Sequence, residues 1–324
     1  MSSATATRPA SGPAPAFAKA SGVRKLKNNA ATTFVWGCFF VALVPLIWVL
    51  WEVISKGLGQ VVKGGWWTGT QHNINPGTPG GGVIHAVVGT LLQVLMCSVI
   101  AVPIALLVGV YLVEYGTGRL ARATTFMVDI LTGIPSIVAA LFIYTVFVQT
   151  LGVTNLSGIL VSLALVILML PVVVRSTEEM LRLVPNELRE ASYALGIPKW
   201  KTIIRVVIPT AFTGLITGVV LGLARVAGET APLLLLVGYT KEFNWNPFSG
   251  SMAALPSFIN TQFNTPSAST SSHVDPVTGK LVSGGGAANY VTDRLWGAAL
   301  TLIIIVLLLN LIARFVGRFN KVAK

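Results

Sequence analysis

Charge is scarce in this chain. Only 11 residues are acidic and 23 are Lys or Arg, 10% of the 324 residues, against roughly 25% in soluble domains. With 53% of its residues hydrophobic, the chain is not an ordinary soluble globular protein; its main solvent is lipid. Cysteine is nearly absent as well. Cys38 and Cys97 both sit in apolar runs without a neighbouring His or second Cys, and they read as packing residues that say nothing about redox compartment. Histidine is limited to His72, His85 and His273, far apart and outside or at the outer boundary of the apolar runs, where each reads as a solvated or interfacial side chain. No convergent nucleophile, base or metal set emerges, which disfavours a membrane-embedded enzyme. A G-x-x-x-x-G-K-[ST] loop is also missing, so the chain has no such nucleotide site of its own.

What is present is a series of long apolar runs. Six are long enough to cross about 30 Å of hydrocarbon: near 33–53, 84–113, 124–148, 157–174, 207–238 and 294–316. The first is too long for a signal-peptide core and lacks a convincing small-residue cleavage site behind it, so it counts as a span. An even number puts both termini on one side. If that side is cytoplasmic, the inside segments 1–32, 114–123, 175–205 and 314–324 hold 17 of the 23 Lys and Arg, as the positive-inside rule requires. The net charge of +12 therefore encodes orientation in a cytoplasmic membrane and does not indicate nucleic acid.

The expected organisation is an all-α integral membrane protein with a disordered basic tail over 1–32 and a transmembrane domain over 33–324. Two outer loops stand out. Trp66 and Trp67 in the first are expected to anchor at the membrane interface. The second, 239–293, is expected to carry a short surface helix near 252–260 and a flexible polar tract over 264–289.

Two charges lie where lipid is expected. In "LARVAGETAPLLLLVG", residues 223–238, Arg225 and Glu229 are four apart within the fifth span. An Arg at the bilayer centre costs about 2.5–3.5 kcal/mol, while each large apolar residue returns only about 0.3–0.6. On a continuous helix the two share a face and can pair. One reading is a buried ion pair that sets helix register. The other is a wet passage for an oxyanion, since the Arg fork suits a tetrahedral oxyanion and intramembrane charges mark what passes through. The third span is interrupted by Gly133, Pro135 and Ser136, either as a packing kink or as a discontinuous helix lining that passage, with the carbonyl freed near Leu131 met by Thr132, Ser136 or water. Asp129 and Arg175 at the cytoplasmic surface read as interfacial charges or as passage residues.

The cytoplasmic segment 175–206 completes the pattern. Asn186 suits a helix cap, Glu187 and Glu190 suit its positive first turn, and Gly196 with Pro198 stops it after about nine residues. Leu188, Ala191 and Leu195 share one face. A helix this short must pack on something to be stable. Glu190, Ala191, Ser192, Gly196, Val206, Ile208 and Pro209 resemble the "EAA…G…I.LP" loop of permease subunits in binding-protein-dependent ABC importers. Segments 223–238, 131–142 ("LTGIPSIVAALF") and 168–181 ("LMLPVVVRSTEEML") further resemble phosphate-importer permeases of the PstA type. The similarity covers roughly 80–316, and the polar tract before the last span is longer than is usual in that family.

The resemblance implies the six-helix type I ABC importer permease fold and import of inorganic phosphate. It implies a non-enzymatic subunit that binds no cofactor, with ATP and Mg on a partner ATPase. The implied partners are a second permease of the PstC type, two ATPase subunits of the PstB type and an extracytoplasmic phosphate-binding protein of the PstS type. Carried onto this chain, the passage residues are Arg225, Glu229 and Thr230, with Ser136 and Arg175 at its margin, and the coupling residues are Glu190, Ala191, Ser192, Gly196 and Pro209. Rival readings are a PstC-type sibling, a permease for sulfate or molybdate, and an ion-coupled carrier working alone. The last is disfavoured by the coupling loop.

Overall fold

The computed structural model describes residues 22–76, 78–265, 273–274, 281–282 and 290–319. The chain divides into two compact units at Glu52. Helix α1 (Gly22–Val61) runs through that boundary. Its first-unit part carries a cluster of exposed aromatics, with the Trp36 and Phe39 ring centroids 5.7 Å apart. The expected disordered tail is corrected for 22–32, which are helical: once the following span has nucleated a helix, adding turns needs no new nucleus. Residues 1–21 lie outside the described residues.

The second unit contains the remaining helices. They are α2 (Ile84–Val110), α3 (Gly118–Thr132), α4 (Ser136–Ile143), α5 (Gly158–Arg182), α6 (Asn186–Ala194), α7 (Lys199–Thr202), α8 (Ile208–Ala227), α9 (Ala231–Leu236), α10 (Leu255–Asn264) and α11 (Tyr290–Phe319). π-Helical turns extend α2 over Tyr111–Tyr115 and α4 over Tyr144–Thr150, and Ile203–Val207 joins α7 to α8 in the same way. A two-residue antiparallel pair, β1 (His273–Val274) with β2 (Leu281–Val282), falls in the polar tract. The rest of that tract, and with it the expected flexibility of 264–289, lies largely outside the described residues.

Five helices are long and apolar enough to cross a membrane, and α3 with α4 makes a sixth candidate bent by 108°. The register of α2 against α5 shows why this pair has to connect opposite ends of the bundle. Gln93 meets Ser162, Cys97 meets Met169 and residue 109 meets Thr177, so α2 and α5 run parallel. The chain between them must return from the end of one to the start of the other. The packing kink considered for this segment is thus a full break. Pro135 has no N–H, and its ring would strike the carbonyl of Leu131 in a continued helix. That carbonyl instead accepts the Ile134 N–H at 3.3 Å, while Thr132 bonds back to Val128, so neither side chain proposed for it is used.

The main core lies where α2, α4, α5 and α9 meet, built from small and medium residues such as Ala101, Ala105, Ala140 and Ala164. Lipid tails give helices no hydrophobic reason to associate, so close packing of small residues takes over. A second cluster, shared by α10 and the first turns of α11, corrects three expectations. Trp66 is not an interfacial anchor: it is 1% exposed, and its indole Nε1 donates to Thr301 Oγ1 at 3.0 Å. α10 is not a surface helix, since Leu255 and Phe258 are fully buried. His85 is buried beside Phe258 and Tyr239, while His72 is exposed and pairs with Glu242. Burial pushes the Tyr239 phenol well above its ordinary range, with nearby Arg294 pulling the other way.

Candidate functional site: a broken fifth span and a cytoplasmic elbow

The fifth span is not one helix. α8 ends at Ala227, residues 228–230 are non-helical, and α9 restarts at Ala231. The cause is Pro232, whose ring would collide with the Gly228 carbonyl in a continuous helix. This corrects the expected i,i+4 pairing: Arg225 and Glu229 form no ion pair among the described residues, because the turn that would bring them together is missing. The alternative of a register-setting buried pair falls with it.

Depth follows from the α5–α8 register. Residue 214 meets Met180, 218 meets Ser176 and 222 meets Met169, so the two helices are antiparallel. Arg225 lies a turn beyond residue 222, roughly 12 Å along the bundle from the start of α5 at 1.5 Å per residue. It is exposed on this chain's bundle, while Glu229, Thr230 and, at the start of α4, Ser136 are half-buried. The two short helices after the breaks, α4 and α9, pack on each other and on α5. The bundle therefore contains two discontinuous spans, the architecture in which irregular backbone at membrane depth lines a cavity.

A feature missed in the sequence is the face that leads to Arg225. Thr210, Thr213, Thr217, Leu221 and Arg225 recur at three- and four-residue spacing and are all exposed. The hydroxyls of Thr210 and Thr217 bond back to the carbonyls of Val206 and Thr213 at 2.6 and 2.8 Å. Such hydroxyls are tolerated inside a helix of this kind because the preceding turn satisfies them. Their spacing is in the sequence, but only the burial of the opposite face singles these threonines out.

Toward the C-terminal end of α5, Arg175 is committed elsewhere. It donates to Asp129 on α3 and, at 2.8 Å, to Glu178, which also accepts Arg182 at 2.5 Å. Asp129 and Arg175 thus tie α3 to α5. A cleft of about 430 Å³, lined by residues such as Phe147, Asn155, Leu163 and Phe248, lies by the start of α5, and Arg225 is not among its lining residues. Among the described residues no three His, Cys, Asp or Glu side chains converge as metal ligands.

α6 spans Asn186–Ala194, the nine residues expected, but without a side-chain cap; the Asn186 side chain accepts from Arg189 instead. Gly196 ends the segment with φ +74°. The apolar face of α6 turns outward, with Leu188, Ala191, Tyr193 and Leu195 exposed alongside Glu190. Ser192 faces inward, 4% exposed, its hydroxyl 2.8 Å from that of Thr202, so it braces the elbow from behind. Pro209 is half-buried in the first turn of α8.

Because a Cβ at Gly196 would meet nothing within 4 Å, a substitution there acts through backbone strain alone. Gly196→Val is expected to distort the elbow at a cost of about 1–3 kcal/mol and to weaken capture of a partner on the α6 face, while Gly196→Asn, which tolerates the left-handed region, retains it. Co-purification of the partner with each variant checks the pair.

Residues 101–320 match the family described as binding-protein-dependent transport system inner membrane component. The chain is 52% identical over 293 residues to phosphate transport system permease protein PstA 1 of Mycobacterium tuberculosis (strain CDC 1551 / Oshkosh), covering 90% of this chain and 89% of that one. It is 51% identical over 288 residues to the PstA protein of Mycobacterium leprae (strain TN), covering 89% and 88%. A solved bacterial ABC transporter involved in the import of the acidic polysaccharide alginate superposes with a TM-score of 0.56 at 14% identity, over 93% of this chain and all of the matched one.

Proposed function

Because the chain belongs to the binding-protein-dependent transport system inner membrane component family, we propose that its exposed, threonine-flanked Arg225 lines the passage through which the transported anion moves. The chain is a permease subunit of a phosphate ABC importer with the type I importer permease fold. It is a multi-pass component of the cell membrane, with both termini on the cytoplasmic side, where the basic residues cluster. A single chain cannot enclose the passage, since Arg225 faces out of its own bundle. A second, homologous permease of the PstC type completes it, two PstB-type ATPase subunits bind ATP and Mg below, and a PstS-type binding protein delivers phosphate above. This chain performs no bond chemistry and binds no cofactor.

One observation carries the reading: a guanidinium without a carboxylate partner among the described residues, at membrane depth, on a hydroxyl-bearing helix face beside a break. Lipid is a poor environment for that face, and a hydrated oxyanion path is a good one. Glu229 and Thr230 in the break, with Ser136 at the start of α4, set the polarity around the bound anion, while Arg175, already held by two carboxylates, keeps α3 and α5 together at the inner end. Release needs weak binding, and a single fork with acidic Glu229 nearby keeps the hold weak. At the elbow, the α6 face with Glu190, Ala191 and Gly196 seats on the ATPase, Ser192 stiffens it, and Pro209 starts the span it moves.

The test is uptake of labelled phosphate by cells lacking this chain, with and without its restored gene, in the presence of excess sulfate. Restored uptake that sulfate does not compete supports the reading. Equal competition by sulfate would make the substrate oxyanions in general, and no restoration would overturn it.

A further inference from the structure

The polar contacts of the elbow with the second span converge on Glu114, and from this we infer that Glu114 is the point through which motion of α6 reaches α2. Glu114 lies in the π-helical turn that ends α2. Its carboxylate accepts the Nη2 and Nε of Arg189 at 3.0 and 3.2 Å, in a pair whose side chains are 11% and 5% exposed. The rest of the Arg189 fork donates to the carbonyls of Leu181 and Val184 at 2.9 and 2.6 Å, so the guanidinium joins the end of α5, α6 and the end of α2 at once. From the far side of the elbow, the Lys199 ammonium donates to the Glu114 carbonyl and rests 4.7 Å from the Tyr115 ring centre. Both arms of the 186–202 segment therefore hold the same residue, one by its side chain and one by its backbone.

The apolar packing beneath is shared as well: Leu181, Val184 and Val207 pack with Leu106, Val110 and Val113 of α2. Packing of this kind can slide, whereas a buried pair with a planar fork fixes distance and direction. A π-helical turn is also a place where a helix can change its winding. A push on the exposed face of α6 is thus delivered to the cytoplasmic end of α2, and not only to α5 and α8, to which α6 is covalently joined. Glu114 is a positioning residue, since it touches neither nucleotide nor substrate.

This inference rests on the reading that α6 seats on the ATPase. In proteoliposomes holding the whole importer, Glu114→Gln is expected to bind the ATPase as wild type does but to lower phosphate moved per ATP hydrolysed by at least about tenfold. Arg189→Gln should do the same, and the double variant should be no worse than either single one, as for residues that act as one unit. A purely structural role would instead lower thermal stability, with transport and ATP hydrolysis falling together at a constant ratio, and that result, or an unchanged ratio in a stable variant, overturns the inference. Leu188→Asp, on the outward face of α6, separates the two layers: it should release the ATPase. If it does not, the docking reading fails and the relay with it; if it does while Glu114→Gln stays fully coupled, only the role of Glu114 is lost.

Discussion

Replacing Arg225 by alanine is expected to reduce phosphate uptake by about 100-fold while the importer still assembles. Removing one side of a charge-assisted contact costs about 2–5 kcal/mol, and tenfold corresponds to about 1.36 kcal/mol, so about 30-fold is the low end and about 100-fold lies within the range. Assembly should survive because Arg225 is exposed on this bundle and its side chain bonds to nothing among the described residues; its loss leaves no orphaned partner. Arg225→Lys keeps the charge but not the fork, and intermediate uptake is expected from it. Transport assays paired with co-purification of the complex separate the effects. Uptake within twofold of wild type in the alanine variant would remove Arg225 from the passage.

The second large effect is on folding. At Gly89 of α2 a Cβ would lie 1.8 Å from the Ala253 carbonyl oxygen, which is backbone and cannot swing away. The next residue, Thr90, accepts the Leu255 N–H at 2.8 Å and donates to the Ala86 carbonyl, so the segment entering α10 is seated directly on α2. Gly89→Val would force these elements apart. The expected loss exceeds about 3 kcal/mol, seen as a marked fall in the yield of monodisperse protein in detergent and in its melting temperature. A variant that melts like wild type would mean that the contact between α2 and residues 252–255 is looser than described.

Hydropathy exposed the spans because lipid imposes length and apolarity on each one separately, with no need to know its neighbours. α6 was legible for a similar reason, since Gly196 and Pro198 act locally. The failures have a common form. The Arg225–Glu229 pairing assumed that four residues make a turn, and Pro232, three residues past Glu229, cancels that assumption. Trp66 finds its hydroxyl partner 235 residues away and Arg189 its carboxylate 75 away, so nothing nearby in sequence marks either contact. The threonine face of α8 was legible as residue types but not as a surface, because it emerges only when α5 covers the other side.

Arg294 supplies one more consequence. Only 2% exposed, it donates to the carbonyls of Asn75, Thr78 and Gly80 in the first outer loop, without a carboxylate among those contacts. Three main-chain oxygens from one loop on one guanidinium make the loop and the head of α11 a single rigid part. A tilt of the last helix therefore carries this loop with it, so the position of residues 75–80 follows the attitude of α11.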